Sequence, residues 1–524
     1  MTQRILAQRG RLITTENGRW WTLGAMCFAL FMTMLDNTVV NVALPSIQRD
    51  LHASLQALEW TMNAYTLTFA VLMVTGGRLG DIFGRRKLFL FGVAVFGASS
   101  LAIGLAPNEA VLVAFRAVQG IGAAFMMPAT LSIITQAFPA EQRGMAIGTW
   151  AGIGALALAI GPVIGGFLTE DVSWRAIFFI NPPIAVGAVA VTLFAARESR
   201  DETVGRAVDL AGIATLTAGL TALVLALVQS NSWHWGSARI VGLFVVAVVA
   251  LVAFVVIELR HRAPMLDFSF FRSRTSAGAN VVGFLVTFAM FAQFFFLTLY
   301  MQNVLDYSPL QTGVRFLPAT VVIMIMGPVA GRLTDRIGPR PLMALGLAII
   351  GTALLIQSQL TIHTGYGLLL PGFILMGLGI GLVMSPMSTA AMNAVDRSKS
   401  GAASGVVSMS RMVGGTVGLA VMGALVTTIG RSKLDSSLPQ IPGAARAKLA
   451  SALGSGGVPD GHASPHVVHA LYQAFVSALA AGLKVGAAVA FAGALLALGL
   501  IGRVRTEPVE ARAGEQGAPE PVTA

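Results

Sequence analysis

GRLGDIFGRR, Gly77 to Arg86, returns as GRLTDRIGPR, Gly331 to Arg340, at an offset of 254 residues. Both copies follow a long apolar run and obey Gly-x-Leu-x-Asp-x-x-Gly-x-Arg. A second pair agrees nearly in register: RGMAIG (Arg143 to Gly148) and SGAASG (Ser400 to Gly405) align Gly144 and Gly148 with Gly401 and Gly405. Self-similarity at one long offset points to a chain built from two related halves, as in transporters that move one half against the other.

Around the repeat the chain is apolar. Of 524 residues, 55% are hydrophobic and 11% charged, with a mean hydropathy of +0.75, which excludes an ordinary soluble globular protein. Fourteen windows are long enough to cross about 30 Å of hydrocarbon. They cover 21–44, 58–77, 88–106, 109–138, 145–169, 176–196, 208–229, 239–258, 276–302, 310–331, 342–361, 367–393, 402–429 and 480–501. The expected fold is therefore an all-α polytopic membrane protein of two six-helix pseudo-repeats plus an inserted helix pair. The expected domains are an N-terminal segment 1–20, a bundle 21–196, the inserted pair with flanking loops 197–275, a bundle 276–501 containing an outer loop 430–479, and a disordered tail 502–524.

The net charge of +11 suggests nucleic acid until the 35 Lys and Arg are sorted by loop. With the N-terminus inside, most fall on the cytoplasmic side, among them Arg78, Arg85, Arg86, Lys87, Arg197, Arg336 and Arg340, while the short outer loops hold Arg49, Arg175 and Arg239. This asymmetry fixes orientation during insertion, so the basic balance predicts cytoplasmic termini and no nucleic-acid partner. The first span is of full length without a cleavage site and reads as retained. Cys27 is the single cysteine, which excludes intrachain disulfides and cysteine metal sites. His466 and His469 stand three apart but lack a third ligand, and read as a solvated loop pair; no metal is expected.

Among 24 carboxylates, Asp36 alone sits deep inside a span, in LDNTVVNVALP, about eight residues or ~12 Å below the outer end. Glu59 is a weaker second at the outer mouth of span 2. A charge at a helix centre costs about 2.5–3.5 kcal/mol on insertion scales, so Asp36 is expected to face a cavity or a partner. It is either a helix-packing hydrogen-bond group or the host of a proton. Arg116 in span 4 lies at matching depth, with Gln119 one turn away on the same face. The pair either couples proton and substrate or merely ties spans 1 and 4. Arg411, deep in span 13, either lines a cavity or bonds carbonyls beside Gly414 and Gly415. Lys484 and Arg315 are expected to snorkel outward from near their span ends.

Span 5 carries Gly148, Ala157, Gly161, Pro162, Gly165 and Gly166, either for tight packing or as a bendable helix between the halves. In span 9, Phe284, Phe288, Phe291 and Phe295 share one face, which either packs or faces lipid, or lines an apolar pocket with Gln293 and Tyr300. Asn37, Asn41, Trp60, Tyr65 and Arg411 complete the candidate cavity lining. In the turns, Gly77, Gly80 and Gly84 permit a tight joint, while Asp81 can pair with Arg85 or accept bonds from a neighbouring helix N-terminus; in the second copy Asp335 and Arg340 stand where Asp81 and Arg86 stand in the first. Such contacts would latch the halves.

These stretches resemble the fourteen-helix drug:proton antiporters of the major facilitator superfamily, the Emr/Qac-type multidrug exporters. LDNTVVNVALP resembles that family's span-1 signature, GGRLGDIFGRR its loop signature, RAVQGIGAA its span-4 signature, and Gly148 through Gly166 its span-5 signature. Two departures are Ala157, where glycine is usual, and Pro339 in place of a basic residue. The resemblance implies Asp36 and Arg116 as coupling residues, Asp81 and Arg85 as a conformational latch, and the Gly161-Pro162 helix as the antiport element. It implies proton-driven export of amphipathic, cationic compounds across a bacterial plasma membrane, by a transporter rather than an enzyme, without a cofactor. The expected partners are small amphipathic molecules, protons and lipid. A monomer is expected, with an accessory envelope protein left open. No G-x-x-x-x-G-K-[ST] is present, so ATP is not the expected energy source. The competing readings are export of one endogenous metabolite, lipid or self-made antibiotic on the same fold, or a non-transporting membrane sensor.

Overall fold

The computed structural model describes residues 17–53, 55–200, 209–233, 236–261, 272–395, 399–443, 445–446, 449 and 465–502. Among these residues there is no strand, and fourteen helices are long and apolar enough to cross a membrane. The first six are α1 (Gly18–Leu51), α2 (Leu55–Phe83), α3 (Arg85–Gly104), α4 (Glu109–Ala137), α5 (Ala140–Phe167) and α6 (Asn181–Ala195). The inserted pair is α7 (Leu210–Trp233) and α8 (Ala238–Arg260). The second six are α9 (Arg274–Leu299), α10 (Pro309–Ile337), α11 (Pro339–Gln357), α12 (Tyr366–Asn393), α13 (Ser400–Ser437) and α14 (Pro465–Leu500).

Helix ends follow local chemistry. Asn108 caps α4 by accepting from the Val111 N–H at 3.0 Å, and Ser308 with Gln311 forms a reciprocal capping box before Pro309 opens α10. The two repeated turns close on single glycines with positive φ, Gly84 at 112° and Gly338 at 84°. A side chain would strain either joint, so the repeat's second glycine is a backbone requirement.

The repeat also governs packing. α1 lies against α5 and α6, α2 against α4, and α3 against α4 and α6; α9 to α14 repeat every one of these pairings. The halves meet along two seams, α2 with α13 and α5 with α10. α7 packs over the first seam, touching α2 and α13, while α8 packs on α7. Contacts between the halves gather at the end that carries the two repeated turns, here the basic end. There Gly77 meets Gly401, Gly144 meets Gly331 and Gly148 meets Gly327, backbone to backbone.

Several sequence expectations need correction. α13 and α14 are 38 and 36 residues long, about 57 and 54 Å, so both project beyond a hydrocarbon core of about 30 Å. The 430–479 segment is therefore helical from 430 to Ser437 and again from Pro465, where a loop over 430–479 is expected. His466 and His469 lie on α14 rather than in a loop, and His469 Nε2 sits 3.0 Å from Gln473 Nε2. Lys484 is mid-helix and exposed, not near a helix end. Arg315 reaches back toward the start of α10, where its guanidinium stacks 3.7 Å from the centroid of Tyr307 and donates to the Gln311 carbonyl at 3.1 Å. The N-terminal segment before Asn17, the tail after Gly502 and most of ARAKLASAL lie outside the described residues.

Candidate functional site

α1 turns Asp36 inward at mid-helix, where the carboxylate is fully buried. Its Oδ2 accepts from Arg116 Nη1 at 2.6 Å, and its Oδ1 accepts from Gln119 Nε2 at 3.0 Å and from Asn181 Nδ2 at 3.2 Å. Every partner is a donor, so the arrangement fits the ionised carboxylate. Arg116, also fully buried, donates its Nε to the Thr61 carbonyl at 2.9 Å and Nη1 to Gln119 Oε1 at 2.7 Å, and lies 4.4 Å from the centroid of the Tyr65 ring. The cluster thus joins α1, α2, α4 and α6. Asn181 extends it to Ser100 of α3 at 2.9 Å, whose hydroxyl donates to the Phe178 carbonyl at 2.9 Å.

A charge pair removed from water is stable only where geometry and extra hydrogen bonds offset desolvation. Here three donors meet one carboxylate, while Arg116 Nη2 and Asn181 Oδ1 are enclosed without a bond.

The basic end carries the second constellation. Asp81, fully buried, accepts from Arg85 Nε at 2.9 Å and Nη2 at 2.6 Å. It also accepts from the backbone N–H of Gly401 at 2.9 Å and of Ala402 at 2.7 Å, so it caps the first turn of α13 in the other half. Across the same seam the hydroxyls of Ser132 and Ser400 are 2.8 Å apart. The second copy is looser: Asp335 and Arg340 are half-buried, and a Cβ on Gly144 would lie 2.7 Å from Asp335 Oδ1. Arg143 Nη1 donates to Asn393 Oδ1 at 2.8 Å on that side.

α5 changes partner along its length. Gly144, Gly148 and Gly152 face α10, whereas Gly161 and Gly165 receive Thr38 and Val39 of α1. Ala157 is buried with the α1 side, and Gly166 meets open space. The side chains of Pro162 and Glu59 lie outside the described residues. Of the candidate cavity lining, Asn37, Asn41, Trp60, Phe291, Phe295 and Arg411 keep accessible surface, with the Arg411 Nε itself enclosed. The rest do not. Tyr65 and Phe288 are buried within their halves, Tyr300 donates to the Thr361 and Thr364 carbonyls, and Gln293 donates to Gln357 Oε1 at 2.6 Å.

The sequence model of the Major Facilitator Superfamily matches residues 26–419. The chain belongs to the Major Facilitator Superfamily. It is 35% identical to the tetracenomycin C resistance and export protein of Streptomyces glaucescens, over 91% of each chain. It is 40% identical to the puromycin resistance protein pur8 of Streptomyces alboniger, over 78% of this chain and 82% of that one. It is 37% identical to the multidrug resistance protein Stp of Mycobacterium tuberculosis, over 77% and 75%. Among solved structures, the human organic anion transporter MFSD10 (TETRAN) superposes with a TM-score of 0.60 at 14% identity, covering 91% of this chain and 99% of that one, a likeness of fold.

Three residues of this superfamily member escape a reading by charge and hydropathy. Asn181 opens α6 in NPP, which reads as a helix start rather than a ligand of Asp36. Ser100 is a small residue in an apolar run. Glu198 sits in a charged stretch, yet its carboxylate accepts from the Arg86 and Lys87 N–H groups at 3.0 and 3.2 Å and caps α3. A Cβ on Gly84 would lie 2.7 Å from that carboxylate.

Proposed function

We propose that this superfamily transporter is a proton-driven antiporter that exports amphipathic organic compounds from a bacterial cytoplasm by alternating access. The observation that carries the reading is a fully buried carboxylate, Asp36, held by donors from α4 and α6 within one of two halves whose backbones meet at the basic end. Separation at the basic end and closure at the other would change the surroundings of Asp36, and with them its hold on a proton. Asp36, Arg116, Gln119 and Asn181 form the coupling cluster in this account. Asp81 with Arg85 is the latch, and α5 the helix about which the halves rock. The basic end faces the cytoplasm, both termini lie there, and no cofactor takes part.

A second reading is favoured by the relatives' names: two are resistance or export proteins for single antibiotics, tetracenomycin C and puromycin. Export of one such compound would use the same fold. Reconstitution into proteoliposomes with an imposed pH gradient tests both, using a panel of unrelated dyes beside single antibiotics. Gradient-driven movement of many dyes supports the broad reading, and movement of one compound alone supports the narrow one. Equal movement with and without the gradient overturns proton coupling.

A further inference from the structure

α13 carries Arg411 eleven residues beyond its start at Ser400, about 16 Å along the helix and so near the middle of a hydrocarbon core of about 30 Å. The residue sits inside the second half. A Cβ on Gly283 of α9 would lie 3.4 Å from Arg411 Cγ and 2.8 Å from Met387 Sδ of α12, so the stem runs where α9, α12 and α13 converge, and Gly283 leaves it room. The hydroxyls beside it are already committed: Thr287 Oγ1 donates to the Arg411 carbonyl at 2.7 Å, and Ser410 Oγ to Asn280 Oδ1 at 3.2 Å. The guanidinium itself donates to no group among the described residues, neither to a carboxylate nor to the carbonyls beside Gly414 and Gly415. Its Nε is enclosed, while its two Nη atoms keep accessible surface. The other deep arginines are held, Arg116 by Asp36, Arg85 by Asp81 and Arg143 by Asn393.

The helices of the second half offer Arg411 no counter-ion. α9, α11, α12 and α14 contain neither Asp nor Glu, and α10 has only Asp335, in its last turn at the basic end. α13 has only Asp435, 24 residues and about 36 Å along the helix from Arg411. In the first half, Asp36 is already engaged by Arg116, Gln119 and Asn181. A charge at this depth is costly unless paired, and from mid-span a side chain cannot carry its head to the interface as one near a helix end does. The partner that relieves Arg411 must therefore come from outside the chain and be negative.

We propose that Arg411 is an anion-binding site within the second half, taking a single negative charge: the carboxylate or phenolate of an organic acid, or a chloride ion. Its planar fork offers the accessible Nη donors to such a group, and charge-assisted bonds in a dry setting are strong. A cation is repelled at the same point, which is the opposite sign to the cationic compounds expected from the sequence. The site is argued from charge and burial alone and does not rest on the export reading.

The purified full chain, in neutral detergent with bulky gluconate as the background anion, is dialysed to equilibrium against radiolabelled benzoate and, in a separate arm, radiolabelled chloride. At least one should bind saturably, and Arg411→Gln should weaken it at least about ten-fold, while Arg411→Lys, which keeps the charge, should retain part of the affinity. Benzamide, the uncharged counterpart of benzoate, should not compete, and Lys484→Gln, at an exposed cation of α14, should bind as the parent does. Benzoate binding that chloride does not displace assigns the site to an organic acid; chloride binding that benzoate does not displace assigns it to the inorganic ion; mutual displacement assigns it to both. Melting in gluconate checks the premise separately: removing a charge that has no partner should leave Arg411→Gln melting no lower than the parent, and the anion that binds should raise the parent's melting temperature but not the variant's. Saturable binding of neither anion, parental affinity in Arg411→Gln, displacement by benzamide, or an Arg411→Gln variant that melts well below the parent overturns the proposal. None of these outcomes bears on proton-driven export, which binding at equilibrium does not measure.

Discussion

The half before the inserted pair keeps its buried polar chemistry as charge, whereas the half after it keeps amides. Asp36 and Arg116 form a fully buried ion pair with Gln119 and Asn181 around it; in the second half Gln293 and Gln357, equally buried, hold each other at 2.6 Å with no charge between them. The turns differ in the same direction. Asp81 is sealed and makes four hydrogen bonds, two of them to α13, while Asp335 is half-buried. Among the described residues, the two copies of one architecture thus differ in that the first holds a fully buried ion pair and the second a fully buried amide pair.

The largest effect should come from breaking the charged side. Arg116→Met leaves Asp36 buried without its counter-ion and should cost about 3–5 kcal/mol, seen as a marked fall in the melting temperature in detergent. A melting temperature within a degree of the parent's would mean that the pair is not desolvated as the structure has it. On the neutral side, Gln293→Leu should cost about 1–3 kcal/mol because Gln357 is left unpaired, while the double variant Gln293→Leu/Gln357→Leu should recover most of that loss. If the double variant melts as low as the single, the amides matter for something other than each other.

The turns allow a finer comparison. Ser132→Cys/Ser400→Cys in a Cys27→Ser background reports closure of the basic end, since the native hydroxyls are 2.8 Å apart across the seam. Asp81→Asn removes charge-assisted bonds to Arg85 and to the start of α13, and should slow crosslinking by about ten-fold. Asp335→Asn should slow it less. Equal slowing would erase the distinction between the two copies.

The smallest effect lies at the opposite end, where Asp50 accepts from Arg175 and from Trp174 Nε1. The Arg175 bond first, then that of Trp174, holds the Asp50 carboxyl below the usual carboxylate range. A depressed pKa stabilises the folded state above the unfolded value of about 3.9 and ceases to do so as pH falls through the folded value. Asp50→Asn should therefore lower the melting temperature by the same small amount from pH 5 to 8, and the difference from the parent should close only in stronger acid. A difference that varies between pH 5 and 8 would contradict this assignment.

Hydropathy carries most of the fold because lipid leaves a spanning segment little choice but a helix, and all fourteen are legible. It fails where helices leave the bilayer. The C-terminal end of α13 and the N-terminal end of α14 bury Leu434, Leu471 and Phe475 and expose polar residues between, so their mean hydropathy falls and they read as loop. In the site, Asp36, Arg116 and Gln119 are legible because ionised or strongly polar groups are rare at that depth. Asn181, Ser100 and the Thr61 carbonyl are not, because small neutral groups within spans are common and acquire a role only through the neighbours that folding supplies. The bond from Asp81 to α13 was open to sequence reasoning as a type of contact, and the structure supplies the partner.

The central claim is that Asp36 carries the proton that drives export. The most direct test is the accumulation ratio of a transported compound in proteoliposomes, measured with and without an imposed pH gradient, for the parent chain and for Asp36→Asn at matched protein density. The account predicts that both proteins equilibrate the compound without a gradient, and that only the parent concentrates it when the gradient is applied. Gradient-driven accumulation by Asp36→Asn equal to that of the parent would contradict it and move the proton to another group.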